Sequence, residues 1–445
     1  MFSHQSINLK NILSFLIKAF LVVLPWQTIW IYREVYIKGF KLESGTLGFY
    51  GTEILLWLIV LLFAFSFIGK IRDQRLKIKF AFTKDRLFAS SVLLFIVYCL
   101  LSSFWALDSE LAWQHGLRIM EMFLLFFVLY LGPLDFKTMT KWFLLGSILP
   151  VFLGIYQFIW QSAPAWKWLG LAGHAGWEGG SSIISGETLG RVLRAYGSFN
   201  HPNVFGGYLT VALLMLLLSR KSKVESRKFV ILFFVIYCLL LVALFFTFSR
   251  SAMLALGIVL LVYFFAEKIA LKDYIKKIIS TLLPILILII ILIPVLAVRV
   301  RGDSAYETRS IDERLTGVSE SFQIIKNNLW FGVGAGNYTL AVYNLNSNLE
   351  GWKYQPVHNV GLLLLAELGV VGVIFLIFIF VSFFRYQITD IKNLSINKSC
   401  LVIFFMLSAI CYLVLCFFDH YLYSSYAGLM ISGVYWALVS KFHTQ

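Results

Sequence analysis

Apolar positions along this chain do not alternate with polar ones. They gather into long runs at about 10–31, 50–69, 87–105, 115–132, 142–161, 202–219, 229–247, 250–266, 278–297, 358–381, 399–418 and 421–440. A run of about 20 apolar residues is the length of helix that crosses the hydrocarbon core of a bilayer. Strands do not fit: open sheet edges cannot sit in lipid, and the runs are too long and too uniformly apolar for barrel strands. The pattern predicts an all-α integral membrane protein of about twelve transmembrane helices, a single transmembrane domain over 1–445. Two long connections interrupt it, 162–201 and 298–357. The first run begins after Lys10 and has no small-residue cleavage site, so it reads as an uncleaved helix.

Composition agrees. The chain is 60% hydrophobic and 14% charged, with a mean hydropathy of +0.82, where soluble proteins run near a quarter charged. A water-soluble enzyme and a disordered chain are excluded. The net charge of +15 would suit nucleic acid, but its distribution points to the bilayer instead. Lys70, Arg72, Arg75, Lys77, Lys79, Lys84 and Arg86 share one connection, and Arg220, Lys221, Lys223, Arg227 and Lys228 another. Lys268, Lys272, Lys276 and Lys277 fill a third on the same side of the count, whereas 106–114 and 419–420 hold no Lys or Arg. Basic residues collect in cytoplasmic loops, so both termini are expected in the cytoplasm and 162–201 and 298–357 outside it. The five cysteines all fall in apolar runs without metal spacing and read as small buried hydrophobes.

Ionisable residues at the membrane edge are the candidates for chemistry. Arg250 sits in FTFSRSAML, between two runs with almost no loop. Its guanidinium is a fork for phosphate, or it snorkels to headgroups. Arg191 and Arg194 lie where the glycine-rich segment 162–201 returns to the bilayer, followed by Asn200, His201, Pro202 and Asn203. Asn200 is either the cap of the next helix or a substrate contact. The segment SIDERLTGVSESFQIIKNN at 310–328 places Ile311, Leu315, Val318, Phe322 and Ile325 at helical spacing and predicts a surface helix. His358 opens the tenth run, and at about 100° per residue Gly369 and Gly372 return near its face. That places His358 toward the bundle as a candidate general base. Glu367 points away from it and is expected to serve a structural partner. GVGAGNY at 332–338 lacks both GxGxxG spacing and a Walker lysine, so it is not a nucleotide loop. Trp160, Trp166, Trp168 and Trp177 read as an aromatic belt.

The series RAYGSFNHPNVFGGYL, TFSRSAML, NNLWFGVGAGNY and HN-x9-G-xx-G resembles the O-antigen ligase/O-antigen polymerase family of polytopic glycosyltransferases. His358 and Asn359, with Gly369 and Gly372, match its histidine motif. Arg250 with Leu254 matches its short arginine motif, and Arg314 stands where the family has an arginine in the large outer loop. Some polymerases of the family carry Arg-x10-Gly patterns, and none of Arg191, Arg194, Arg309 and Arg314 has glycine eleven residues on. The resemblance implies a bacterial inner-membrane enzyme with its active site on the periplasmic face. It implies a polyprenyl-diphosphate-linked glycan donor and, as acceptor, a lipid A core sugar for a ligase or a second carrier-linked repeat unit for a polymerase. His358, Arg250 and Arg314 are then the expected catalytic residues. Arg191, Arg194, Asn200, Asn203 and Asn359 are the expected substrate contacts. No metal, cofactor or nucleic acid is expected. Asp108 and Glu110 are the acidic pair that a metal-dependent transferase using polyprenyl-monophosphate sugars would need. A transporter or flippase is the rival of another class, which usually shows paired halves with broken helices; no half-to-half symmetry is visible.

Overall fold

The computed structural model describes residues 2–72, 86–186, 190–219, 227–265, 271–301, 305–392 and 398–442. The basic stretches 73–85, 220–226 and 266–270, on which much of the expected orientation rests, lie outside the described residues.

The fold is all-α and built for a membrane. Its helices are α1 (Phe2–Val23), α2 (Gly51–Arg72), α3 (Arg86–Leu101), α4 (Ser109–Leu131), α5 (Phe136–Trp160), α6 (Pro202–Ser219), α7 (Arg227–Thr247), α8 (Arg250–Phe265), α9 (Leu271–Arg301), α10 (Ala305–Asn327), α11 (Tyr338–Leu345), α12 (Val360–Lys392), α13 (Lys398–Phe418), α14 (Tyr421–Ser424) and α15 (Tyr426–Lys441). Among the described residues seven helices are long and apolar enough to cross a bilayer, and three more apolar helices are shorter. Each of the twelve apolar runs contains a helix.

Burial separates centre from rim. In α6, 94% of the apolar window is inside the bundle, against 17% for α9. So α6 is the axis of the fold and α9 a peripheral, lipid-facing helix. Helix α6 starts on Pro202, where the missing N–H costs nothing and φ is preset. Around it α8 packs along α13, α4 along α15 and α3 along α12.

The first run does not continue to residue 31. Helix α1 stops at Val23, and Pro25 cannot carry the ladder on. Ile29–Arg33 (β1) then pairs antiparallel with Leu47–Tyr50, closing a ribbon that satisfies the backbone where helix is lost. Within the ribbon Tyr36–Ile37 (β2) pairs with Phe40–Lys41 (β3), and Leu47–Tyr50 is β4. The last run is also interrupted: Ser425 is extended between α14 and α15, and its hydroxyl caps α15 at Gly428 N–H.

The glycine face drawn through His358 needs correction. Helix α12 begins at Val360, after His358, and Gly369 is non-helical at φ 64°, ψ −171°. A continuous 100° rotation therefore does not relate the three positions. The break is filled by the segment 329–338. Val333 and Gly334 donate to the carbonyls of Ala366 and Glu367 at 3.0 and 2.9 Å, and Val370 donates to Leu329 O at 2.9 Å. The Glu367 carboxylate accepts from Gly336 N, Tyr338 N and the Tyr423 hydroxyl. GVGAGNY is thus a backbone wedge that re-satisfies a broken helix, the condition under which irregular backbone survives at membrane depth. Cβ atoms on Gly332 and Gly369 would lie 2.3 Å from the backbone of Glu367 and Trp330, and both residues have positive φ. Gly369→Ala is expected to destabilise by about 2 kcal/mol or more. Gly179→Ala, with open space around it and no positive φ, should be near neutral. Thermal unfolding in detergent measures both; equal stabilities would remove the wedge from the account.

Candidate functional site

The connections at one end of the bundle converge through hydrogen bonds between segments far apart in sequence. Ser198 Oγ donates to Pro25 O, and Leu107 N donates to Val333 O. At the centre of this end lies Asp419, in the two-residue turn between α13 and α14, buried at 3% exposure. The turn is held from both sides. Asn359 Nδ2 donates to Phe417 O at 3.1 Å, and Arg314 Nη1 donates to Phe418 O at 3.1 Å. A cation on the last carbonyls of a helix also complements its dipole.

Asp419 gathers the polar groups. His358 Nδ1 lies 3.4 Å from Oδ1, and the His420 backbone N–H donates to the same oxygen at 2.8 Å. Asn203 Nδ2 donates to Oδ2. Asn203 Oδ1 in turn accepts from Arg194 Nη2, whose Nε donates to Thr247 O at 2.7 Å and whose Nη1 donates to Ser182 Oγ at 2.8 Å. Burial alone would raise the Asp419 carboxyl, but the hydrogen bond with His358 outweighs it and holds it well below the ordinary carboxylate range. It is an ionised acceptor. His201 stands just before α6, and its Nδ1 accepts from Asn203 N–H. Burial, reinforced by the charge of Arg194, pushes it down to about 3, so its ring is neutral.

The turn before Arg250 is equally constrained. Buried Phe248 takes φ 46°, a strained conformation for a side chain of its size. Thr247 Oγ1 accepts from Ser249 N, and Ser249 Oγ accepts from Ala252 N at the start of α8. Arg194 binds the Thr247 carbonyl. Arg250 follows, exposed, as the first residue of α8. Because α8 packs along α13, with Cys411 Sγ 3.8 Å from Ala255 O, Arg250 and the Asp419 turn occupy the same end of an adjacent helix pair.

These placements revise several expected roles. Arg194 and Asn203, expected to touch substrate, are buried and bridge the Arg250 turn to Asp419. Arg191 donates to the carbonyls of Gly176 and Glu178 and ties Gly190–Leu193 (β8 of the hairpin with β7, Ile183–Gly186) to the turn after His174–Ala175 (β6, paired with β5, Ser162–Ala163). Asn200 is exposed, and the helix cap belongs to His201. Asn359 is itself a cap, accepting from Leu362 N–H at 2.9 Å. The acidic pair is spent elsewhere: Arg33 binds both Asp108 and Glu110, and Asp108 caps α4. The expectation that the chain assembles no set of metal-ligating side chains is corrected too. His358, Asp419 and His420 bring one ligand atom each within 4.8 Å of one another.

Asp419 and His420 were not among the candidates. Their signal was present, since Asp419 is the sole carboxylate after Lys398 and lies in a turn between two apolar runs, where an ionisable residue is a functional candidate by default.

The end of the bundle is therefore that of a polytopic membrane protein carrying a histidine–carboxylate pair flanked by arginines. Residues 235–377, which contain Arg250, Arg314, His358 and Asn359, match the family model described as O-antigen ligase. That match supports the motif resemblance to the O-antigen ligase/polymerase family. No curated protein matches the chain.

Proposed function

We propose that this chain moves a glycan from a polyprenyl-diphosphate carrier to an acceptor hydroxyl, foremost from the O-antigen carrier to a lipid A core sugar, on the extracytoplasmic face of the bacterial inner membrane. The observation that carries the reading is the His358–Asp419 pair, with Arg314 and the Arg250 turn beside it. Asp419 holds a proton on Nδ1 of His358, leaving Nε2 to take the acceptor proton. The acceptor oxygen then bonds to the anomeric carbon as the bond from that carbon to the diphosphate oxygen breaks. The diphosphate leaves as an anion, already a good leaving group, and needs charge stabilisation more than a proton. Arg250 and Arg314 supply it as fixed donors. Arg194 and Asn203 act behind them by holding both turns in register.

Purified protein given a lipid-linked donor and a lipid A core acceptor should form the ligated product at full rate in EDTA. Loss of transfer in EDTA, restored by Mg²⁺ or Mn²⁺, would overturn the metal-free reading. Deletion in cells separates the two acceptor classes: carrier-linked polymer of normal length marks a ligase, and single repeat units mark a polymerase. Arg250→Lys keeps the charge but loses the fork. It should lower transfer by about 10²-fold with unchanged protein level. Near-normal transfer by that variant would reduce Arg250 to a headgroup anchor.

A further inference from the structure

We propose that His358, Asp419 and His420 form a binding site for a borderline transition-metal ion such as Zn²⁺, and that the ion switches transfer off. The binding claim stands on geometry alone; the inhibitory consequence rests on the reading of His358 as the base.

The spacing is that of ligands around a shared ion. A metal bound at about 2.0–2.1 Å in a tetrahedral site sets its ligand atoms about 3.4 Å apart. His358 Nδ1 and Asp419 Oδ1 are separated by 3.4 Å, long for a hydrogen bond, and His420 Nε2 lies 4.0 Å from the same oxygen. The three ligand atoms lie within 4.8 Å of one another, so the two rings must draw inward to share one ion. The other nitrogen of His420 is already engaged, 2.6 Å from Ser424 Oγ, which turns Nε2 toward the carboxylate and provides the outer support metal-bound imidazoles usually have. The two imidazole side chains are 23% and 22% exposed, so an ion can reach them. Three protein ligands leave a fourth position for water. Two imidazoles and one carboxylate suit Zn²⁺, Ni²⁺ or Cu²⁺ and not Mg²⁺ or Ca²⁺.

Inhibition follows from the tautomer. A neutral imidazole has one lone-pair nitrogen. Coordination through Nδ1 of His358 takes that lone pair and places the ring proton on Nε2. The group that should accept the acceptor proton then presents an N–H instead. The ion also neutralises Asp419 and separates it from His358.

The test uses full-length protein in detergent with any histidine tag removed. Co²⁺, a spectroscopic substitute for Zn²⁺, should bind one ion per chain with the visible absorption of a four-coordinate N/O site. Displacement by Zn²⁺ should follow, and His420→Gln should weaken binding by more than about a hundred-fold. Transfer should fall at least about ten-fold with Zn²⁺ bound, recover in EDTA and ignore Mg²⁺. His420→Gln should keep basal transfer and lose the sensitivity to Zn²⁺. Absence of a Co²⁺ site in the unsubstituted protein, or unchanged binding in His420→Gln, overturns the site and leaves the transferase reading intact. Binding at the trio without inhibition overturns the switch, and with it His358 as the base.

Discussion

His358→Gln should transfer glycan about 10²–10⁴-fold more slowly than the parent protein, the usual worth of a positioned general base. Glutamine fills the same space and still offers a hydrogen-bonding amide to Asp419, but its carboxamide does not take a proton at neutral pH. His358→Ala should be as inactive, and donor binding, carried by the arginines, should survive in both. The comparison that decides is single-turnover transfer against donor affinity. If His358→Gln keeps most of its rate, the histidine only orients the acceptor. If His358→Ala abolishes donor binding instead, the imidazole belongs to the diphosphate site and the base lies elsewhere.

Asp419→Asn should cost a similar factor, on the order of 10²–10⁴ in rate, through a different cause. The substitution is nearly isosteric, but it removes the charge that steadies the imidazolium. It also replaces one carboxylate oxygen with an NH₂ group. Asp419 now accepts from Asn203 on one oxygen and from His420 N–H on the other, beside His358. With asparagine, one of these donors faces a donor. The imidazole then has no fixed partner at Nδ1, and the tautomer with Nε2 free is no longer enforced. Because both residues act as a unit, the double variant His358→Ala with Asp419→Asn should be scarcely slower than either alone. Additive losses in that cycle would separate the two residues and leave Asp419 a purely structural turn. Thermal unfolding in the same preparations distinguishes a lost tautomer from a collapsed turn.

The candidate site was legible in pieces. His358 and Arg250 stood out because each is polar at the margin of an apolar run, whereas Asn359 and Arg314 were marked by the motif resemblance. Asp419 and His420 occupy the same kind of margin, but a two-residue turn without Lys or Arg carries no orientation signal that would single it out. The roles of Arg194 and Asn203 were out of reach. A membrane-edge arginine reads as a substrate contact until its carbonyl and amide partners are known, and Thr247 and Asn203 are distant in the one-dimensional chain or hidden in helix. The glycine motif after His358 was visible as a motif, but its cause was not. Gly369 opens the helix to a backbone wedge from 329–338 rather than admitting a neighbouring helix.

Hydropathy alone determined the class of fold and the helix-bearing runs, because lipid allows only backbone that satisfies itself within a helix or a closed barrel; the predicted orientation of the ends came from the placement of Lys and Arg. That constraint is local and is written residue by residue. Only the tertiary structure decided which polar residues meet. Pairing across the bundle depends on how six or more helices settle against one another, and on two breaks, at Gly369 and Ser425, where local satisfaction fails and a distant segment or a side-chain cap must supply it. The meeting of His358 with Asp419, 61 residues apart, follows from those breaks and caps, not from the spacing of either residue in its own run.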